Sequence, residues 1–153
     1  MTPALGGALR VFGGLGREVA DQGGRASARF YLKSVVFPVI DGIAQKEKLT
    51  LDEQVTNMIR RGETLRSYAQ RPEFSKRVEE TLGSPTACFL LGKFRPHLSK
   101  PEHEIRASVP WWIERIGETR PEVCRVIRGQ PGGERWLGDM FVDMIQICRE
   151  YAG

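Results

Sequence analysis

The sequence of 153 residues has little cysteine, and its three cysteines, Cys88, Cys124 and Cys148, stand far apart. An odd number of widely spaced cysteines makes neither a disulfide framework nor a zinc-ligand pattern. Cys88 and Cys148 lie in apolar stretches, where a free cysteine behaves as a small core residue. Free thiols of this kind are typical of a reducing compartment, so we expect a cytoplasmic protein.

Long hydrophobic runs are also missing. No stretch approaches the roughly 18 apolar residues that span a bilayer, and the N-terminus lacks the apolar segment of a signal peptide. We therefore expect no membrane partner. There are only two histidines, His97 and His103. They do not share a helix face, and no nearby cysteine or carboxylate has metal-ligand spacing, so we expect no metal site.

Catalytic motifs are scarce as well. No serine stands in the pattern G-x-S-x-G, and no phosphate-binding loop of the type G-x-x-x-x-G-K-[ST] is present. A nucleophilic Cys88 would need a histidine partner and accessible, electropositive surroundings. Its apolar neighbours predict burial instead. We expect no enzymatic activity and no cofactor.

Glycine is plentiful and clusters near the N-terminus, where residues 9–24 read LRVFGGLGREVADQGG. A dinucleotide-binding loop needs G-x-G-x-x-G between a strand and a helix. Gly14 and Gly16 fit the first two positions, but Val19 stands at the third, and no series of strands follows. We interpret residues 1–27 as a flexible glycine-rich leader or a closely packed loop. A contact between its backbone and a phosphate is the less favoured alternative.

The rest of the chain, residues 28–153, has the apolar spacing of helices. The stretch 28–48 begins with residues common in strands, but its spacing favours a helix kinked at Pro38. Thr50 and Glu53 form a capping box that opens a helix predicted to run to about Gln70. Further helices are predicted at 72–83, 85–95, 110–117, 120–129 and about 134–151. We therefore predict a single all-α domain, a compact bundle of six or seven helices.

Basic residues offer the best lead to function, although the net charge is only +4. Guanidinium groups bind phosphate through two parallel hydrogen bonds. Such a surface would follow a nucleic-acid backbone rather than read bases. A solvated charged face is the alternative. The candidate nucleic-acid-binding residues are Arg60, Arg61, Arg66 and Arg71, predicted along one side of a helix, and Lys93, Arg95 and Lys100 in a second basic stretch.

Two tandem tryptophans, Trp111 and Trp112, are candidates for a partner interface. Both cannot easily face the same core from one helix, so we expect one to be buried and the other to cover a neighbouring helix. Tryptophan is also enriched at the centres of protein interfaces, and it can serve as a stacking platform for a base.

The closing segment FVDMIQICREYAG, residues 141–153, resembles the C-terminus of the small helical subunits of type III CRISPR effector complexes, which act in antiviral defence. Those subunits end in an aromatic-led helix with an early acidic residue, then a basic or polar turn, a tyrosine and a glycine. The resemblance implies an all-α protein without catalysis. It also implies contacts with guide and target backbones through basic residues, and with other subunits or further copies through apolar helix faces. Arg60, Arg61, Arg66 and Lys93 are candidates for the backbone contacts, chosen from local charge.

Three hypotheses follow from the sequence. The leading one is a non-enzymatic helical subunit that binds RNA or DNA backbone inside a ribonucleoprotein assembly. The alternative is a protein-interaction or scaffold subunit whose arginines are merely solvated and whose tryptophans form the interface. The third, and least favoured, is a small nucleotide-binding enzyme that uses the loop Gly13–Gly16.

Overall fold

The computed structural model describes residues 24–94 and 101–152, with side chains described for 24–89 and 101–150. Within these ranges every regular element is helical, which confirms the predicted all-α class. The first 23 residues, including the loop Gly13–Gly16, lie outside this description. The helices in chain order are α1 (Phe37–Lys46), α2 (Leu51–Arg61), α3 (Leu65–Ala69), α4 (Pro72–Leu82), α5 (Pro85–Phe94), α6 (Glu102–Ala107), α7 (Val109–Thr119), α8 (Pro121–Gly129) and α9 (Gly133–Ala152).

The first helical stretch is already formed at residue 24 and continues through a π-helical turn, Leu32–Val36, into α1. The amide of Phe37 donates to the carbonyl oxygen of Leu32, five residues earlier. Pro38 has no N–H for the ordinary bond to the fourth preceding carbonyl, so the helix has to adapt around it. The helix predicted over 28–48 is thus confirmed, but it ends at Lys46 and is already formed at residue 24, so residues 24–27 belong to it and not to the leader predicted over 1–27. The widened turn lies directly before the proline.

Helix α2 begins as predicted and ends earlier than predicted. The Thr50 side chain accepts a hydrogen bond from the Glu53 amide at 3.3 Å, and the Thr50 amide donates to the Glu53 carboxylate at 2.9 Å. The helix stops at Gly62, whose φ of 65° is the left-handed conformation that favours glycine. Thr64 then caps α3. The prediction of one helix from Thr50 to about Gln70 is therefore wrong in its second half.

Helices α2 and α8 pack side by side and run in the same direction. At their beginnings, Arg120 lowers the pKa of the Asp52 carboxyl, although the hydrogen bond from Thr50 is the larger cause. At their ends, the Arg60 side chain reaches Gln130, the residue directly after α8. Two helices whose starts and ends both coincide are parallel, so their C-terminal ends lie at the same end of the bundle.

Helix α9 forms the centre of the core and contacts α3 through α8. Its predicted apolar stripe is buried, as shown by Leu137, Phe141, Met144 and Cys148. The rings of Trp112 and Phe141 stack with centroids 4.1 Å apart, which joins α7 to α9. Aromatic pairs of this kind contribute about 0.5–1.5 kcal/mol beyond the area that they bury.

Candidate nucleic-acid interface

The four arginines predicted to share one helix side lie on three different helices or their caps. Arg60 and Arg61 end α2, Arg66 lies on α3, and Arg71 is the N-cap of α4. The prediction of a single arginine face is wrong because Gly62 ends the first helix and turns the chain before Arg66.

Contacts with α9 show that the side chain of Arg66 points away from the link that follows Arg60 and Arg61. The link between α2 and α3 is bonded to the beginning of α9, where the Trp136 Nε1 donates to the Glu63 carbonyl oxygen at 2.8 Å. Arg66 instead pairs with Glu150, its Nη2 lying 2.9 Å from the Oε1. Glu150 follows Trp136 by 14 residues, which is about 21 Å along a helix. The Arg66 side chain therefore extends towards the C-terminal end of α9, whereas the link after Arg61 is bonded to its N-terminal end.

Arg60 is the most available cation of the four. Its side chain is exposed, and its Nε donates to the Oε1 of Gln130 at 3.4 Å. No carboxylate within the described ranges pairs with it. Arg61 beside it is also exposed, with 58% of its side chain accessible, and its Nη1 lies 3.9 Å from the Oε1 of Glu63. That separation is too long for a hydrogen bond, so the pair is a loose one.

The Arg71 side chain is engaged in contacts within the protein. Its guanidinium pairs with the other oxygen of Glu63 and lies over the Tyr68 ring, 4.4 Å from the centroid. Burial raises the pKa of the Tyr68 hydroxyl, which accepts a hydrogen bond of 2.6 Å from the Gln54 side chain. Arg71 thus helps to hold the turn between α3 and α4.

The second basic stretch falls largely outside the description. Lys93 lies in the last turn of α5, where the backbone but not the side chain is described. Arg95 and Lys100 lie in the interval 95–100, as does His97. His103 is exposed on α6.

The tandem tryptophans divide as the core-packing alternative predicted. Trp112 is 1% exposed and cannot reach a partner from this fold, so its assignment to an interface is corrected. Trp111 is half-buried, with its ring edge-on to Trp112 and the Arg115 guanidinium 5.1 Å from its centroid. Of the two residues, only Trp111 reaches the surface.

The cysteines are placed where the sequence predicted them. Cys88 and Cys148 are buried, and both thiols point to the carbonyl oxygen of Leu82, at 3.8 and 3.2 Å. Burial, and secondarily the neighbouring Cys88, raises the pKa of the Cys148 thiol well above its usual range. A thiol that stays protonated is a poor nucleophile and a poor metal ligand. The described residues also contain no group of three or more side chains that could hold a metal ion.

One surface groove, of about 400 Å³, lies between α9 and the junction of α6 and α7. Two arginines line it: Arg106, which is already paired with Glu102 at 2.8 Å and with Asp139 at 2.7 Å, and Arg135, which is exposed. The hydrogen bonds that the Arg106 guanidinium donates to these two carboxylates raise its pKa. Arg106, saturated in this way, offers an anionic ligand no vacant donor pair.

Sequence reasoning missed a basic residue close to the contact between Arg60 and Gln130. Arg128 is exposed in the last turn of α8, two residues before Gln130. The local sequence RGQPGG predicted only a helix end and a turn. Nothing in it indicates that this helix end meets the end of α2, because Arg60 and Gln130 are 70 positions apart.

Comparison with known proteins finds no matching family, and no significantly similar curated protein or solved structure. In the part of the chain that the structure describes, no helix is long and apolar enough to cross a bilayer. Function has therefore to be inferred from the side chains and their geometry.

Proposed function

We propose that this chain is a non-enzymatic helical subunit that binds the backbone of RNA or DNA within a ribonucleoprotein assembly. The resemblance to the small subunits of type III CRISPR effector complexes suggests the kind of assembly. The observation that carries the proposal is the exposed position of Arg60 and Arg61 at the end of α2. Among the residues that the structure describes, Arg60 is hydrogen-bonded to the neutral amide of Gln130 and paired with no carboxylate.

The charge state of this surface supports a phosphate ligand. Glu63 is shared by Arg61 and Arg71, so the three groups together keep one positive charge, to which Arg60 adds a second. Phosphate groups carry most of the affinity in nucleic-acid binding that does not depend on sequence, and arginine is the residue best matched to them.

The assembly would also require contacts with other protein subunits. Trp111 is the surface candidate for such a contact, since it is half-buried and packs beside Arg115. An aromatic ring with a neighbouring arginine is common at the centres of protein interfaces. A scaffold subunit without a nucleic-acid role would use Trp111 alone.

The test is the salt dependence of binding to a labelled single-stranded RNA, measured by fluorescence anisotropy with the full chain. The logarithm of affinity should fall linearly with the logarithm of salt concentration, with a slope of about −0.7 for each phosphate contact. The double variant Arg60→Glu/Arg61→Glu should weaken binding and flatten this slope.

A matched control is the double variant Lys46→Glu/Lys48→Glu. It changes the net charge by the same amount, but both lysines precede the start of α2, about 16 Å along the helix from its end. Both side chains are exposed. Absence of RNA binding by the unmodified chain would contradict the proposal. An equal loss in both double variants would show that net charge alone is responsible.

A further inference from the structure

The parallel arrangement of α2 and α8 brings two basic helix ends together. Arg60 and Arg61 end one helix, and Arg128 lies in the last turn of the other. We propose that these three residues, here called the arginine edge, form one binding site for the phosphate backbone of a nucleic acid. The inference rests on the proposed function and assigns its site to two helices instead of one.

The contact between Arg60 and Gln130 fixes the two helix ends relative to each other. The Arg60 Nε lies 3.4 Å from the Gln130 side-chain oxygen. Arg128 precedes Gln130 by two residues, so their Cα atoms are at most about 7.6 Å apart. A guanidinium on its long side chain can therefore reach the same strip of surface as Arg60.

The turn after α8 holds this arrangement in place. Gly133 begins α9, and a Cβ there would lie 1.9 Å from the carbonyl oxygen of Ile127. Only glycine permits so close an approach of the two backbones. The Gly133 amide also donates to the Gln130 carbonyl oxygen at 3.0 Å. Gln130 is thereby held next to the end of α8, with Arg128 two residues before it.

The charges around the arginine edge leave it positive. Arg128 is exposed and has no carboxylate partner within the described ranges. The nearby acidic groups are Glu63, already paired with Arg61 and Arg71, and the exposed Glu134 in the first turn of α9. The Arg61–Glu63 pair, at 3.9 Å, is too long for a hydrogen bond, so a phosphate can take the place of Glu63 at Arg61.

A purely structural role for the same arginines is the competing explanation. Helix C-termini carry a partial negative charge, and two parallel helices place two such ends side by side. Arginines there stabilise the helices whether or not a ligand binds. The two roles differ in what a neutral substitution changes, since one affects unfolding and the other affects RNA binding and its salt dependence.

The decisive variant is Arg128→Gln, with Lys48→Gln as the control that removes one charge elsewhere. RNA affinity in about 0.1 M salt should fall three- to tenfold for Arg128→Gln, and the slope against salt should shrink by about 0.7. Lys48→Gln should change neither. The thermal unfolding midpoint of both variants, followed by circular dichroism, shows whether the fold is intact.

Three outcomes would overturn the inference. Unchanged RNA binding by Arg128→Gln, together with weakened binding by Arg60→Glu/Arg61→Glu, would confine the site to α2 and leave the proposed function standing. A lowered unfolding midpoint with unchanged RNA binding would assign Arg128 to helix stabilisation alone. Failure of the unmodified chain to bind RNA would contradict the inference and the proposed function together.

Discussion

The indole Nε1 of Trp136 donates a hydrogen bond to the backbone carbonyl oxygen of Glu63, 2.8 Å away. This bond ties the first turn of the central helix α9 to the short link between α2 and α3. The ring itself is 5% exposed. The position of the chain directly after Arg61 thus depends on a side chain 73 residues further along.

Replacing Trp136 with phenylalanine should destabilise the fold without destroying it. Phenylalanine keeps an aromatic ring but leaves the Glu63 carbonyl without this donor, which costs about 1–3 kcal/mol when the group is buried. Urea unfolding measures the difference. The larger change to alanine should cost about 3–5 kcal/mol because it also opens a cavity. Equal stability of the phenylalanine variant and the unmodified chain would show that the hydrogen bond contributes nothing.

Alanine substitutions at three glycines should rank in a fixed order. At Gly133 an added Cβ would meet the Ile127 backbone at 1.9 Å, so the helices must separate, at a cost of about 3 kcal/mol or more. At Gly62 the space is open but φ is +65°, which costs about 1–2 kcal/mol. At Gly129 nothing lies within 4 Å, and alanine should be neutral or stabilise by up to about 1 kcal/mol.

Chemical unfolding at a single temperature tests this ranking, and Gly129→Ala is the internal control for the loss of a glycine as such. If Gly133→Ala unfolded at the same urea concentration as Gly129→Ala, the close approach of α8 and α9 would be wrong. The arginine edge would then lose the geometry on which it depends.

Stability should fall at alkaline pH because Cys148 is buried as a thiol. Burial raises its pKa in the folded state above that of the unfolded chain. The folded protein therefore holds this proton over a pH range in which the unfolded chain releases it. The stabilisation is complete below the unfolded pKa of about 8.5 and is lost as pH rises, by at most about 1.4 kcal/mol per pH unit.

The variant Cys148→Ala isolates this effect. It should be less stable than the unmodified chain at neutral pH, because a buried side chain is lost, but its stability should decline less steeply from about pH 8 to 10. Tyr31, whose pKa is raised by burial and secondarily by Cys148, adds to the decline at higher pH in the unmodified chain. Parallel pH profiles of the two proteins would rule out a thermodynamic role for the thiol proton.

Local sequence signals predicted the helices better than their breaks. The capping box at Thr50 specifies a helix start through neighbouring residues, and the structure shows it. The break at Gly62 was overlooked because the apolar stripe continues across it, with Met58 and Leu65 seven positions apart. A three-residue link is close to one helical turn, so the stripe keeps its period while the helix ends. The glycine was the signal that could have marked the break.

The candidate site was only half predictable for a different reason. Arg60 and Arg61 stand out in the sequence as a basic pair, but their relation to Arg128 depends on how α2 and α8 pack. That packing is set by buried residues distributed over the whole chain, such as Val55 and Ile127. No motif encodes it, so an arginine at the end of another helix could not be assigned to the same surface.

The final prediction concerns Arg66. Because it is paired with Glu150, we expect it to stabilise the fold and not to bind RNA. The two atoms are 2.9 Å apart, and 59% of the glutamate side chain is exposed. Such a pair contributes about 0–1 kcal/mol, so Arg66→Gln should lower the free energy of unfolding by no more than that. Since its guanidinium already faces a carboxylate, the variant should leave the salt dependence of RNA binding unchanged.

The matched comparison is Arg60→Gln, which removes the same single charge from a side chain that bonds to Gln130 and, in the described part of the chain, to no carboxylate. Its salt slope should shrink by about 0.7, whereas that of Arg66→Gln should not. An equal reduction in both variants would mean that RNA displaces Glu150 and engages Arg66 as well. The Arg66 guanidinium lies towards the C-terminal end of α9, away from the arginine edge. The bound strand would then have to run along α3, and the arginine edge would be one end of a longer binding surface.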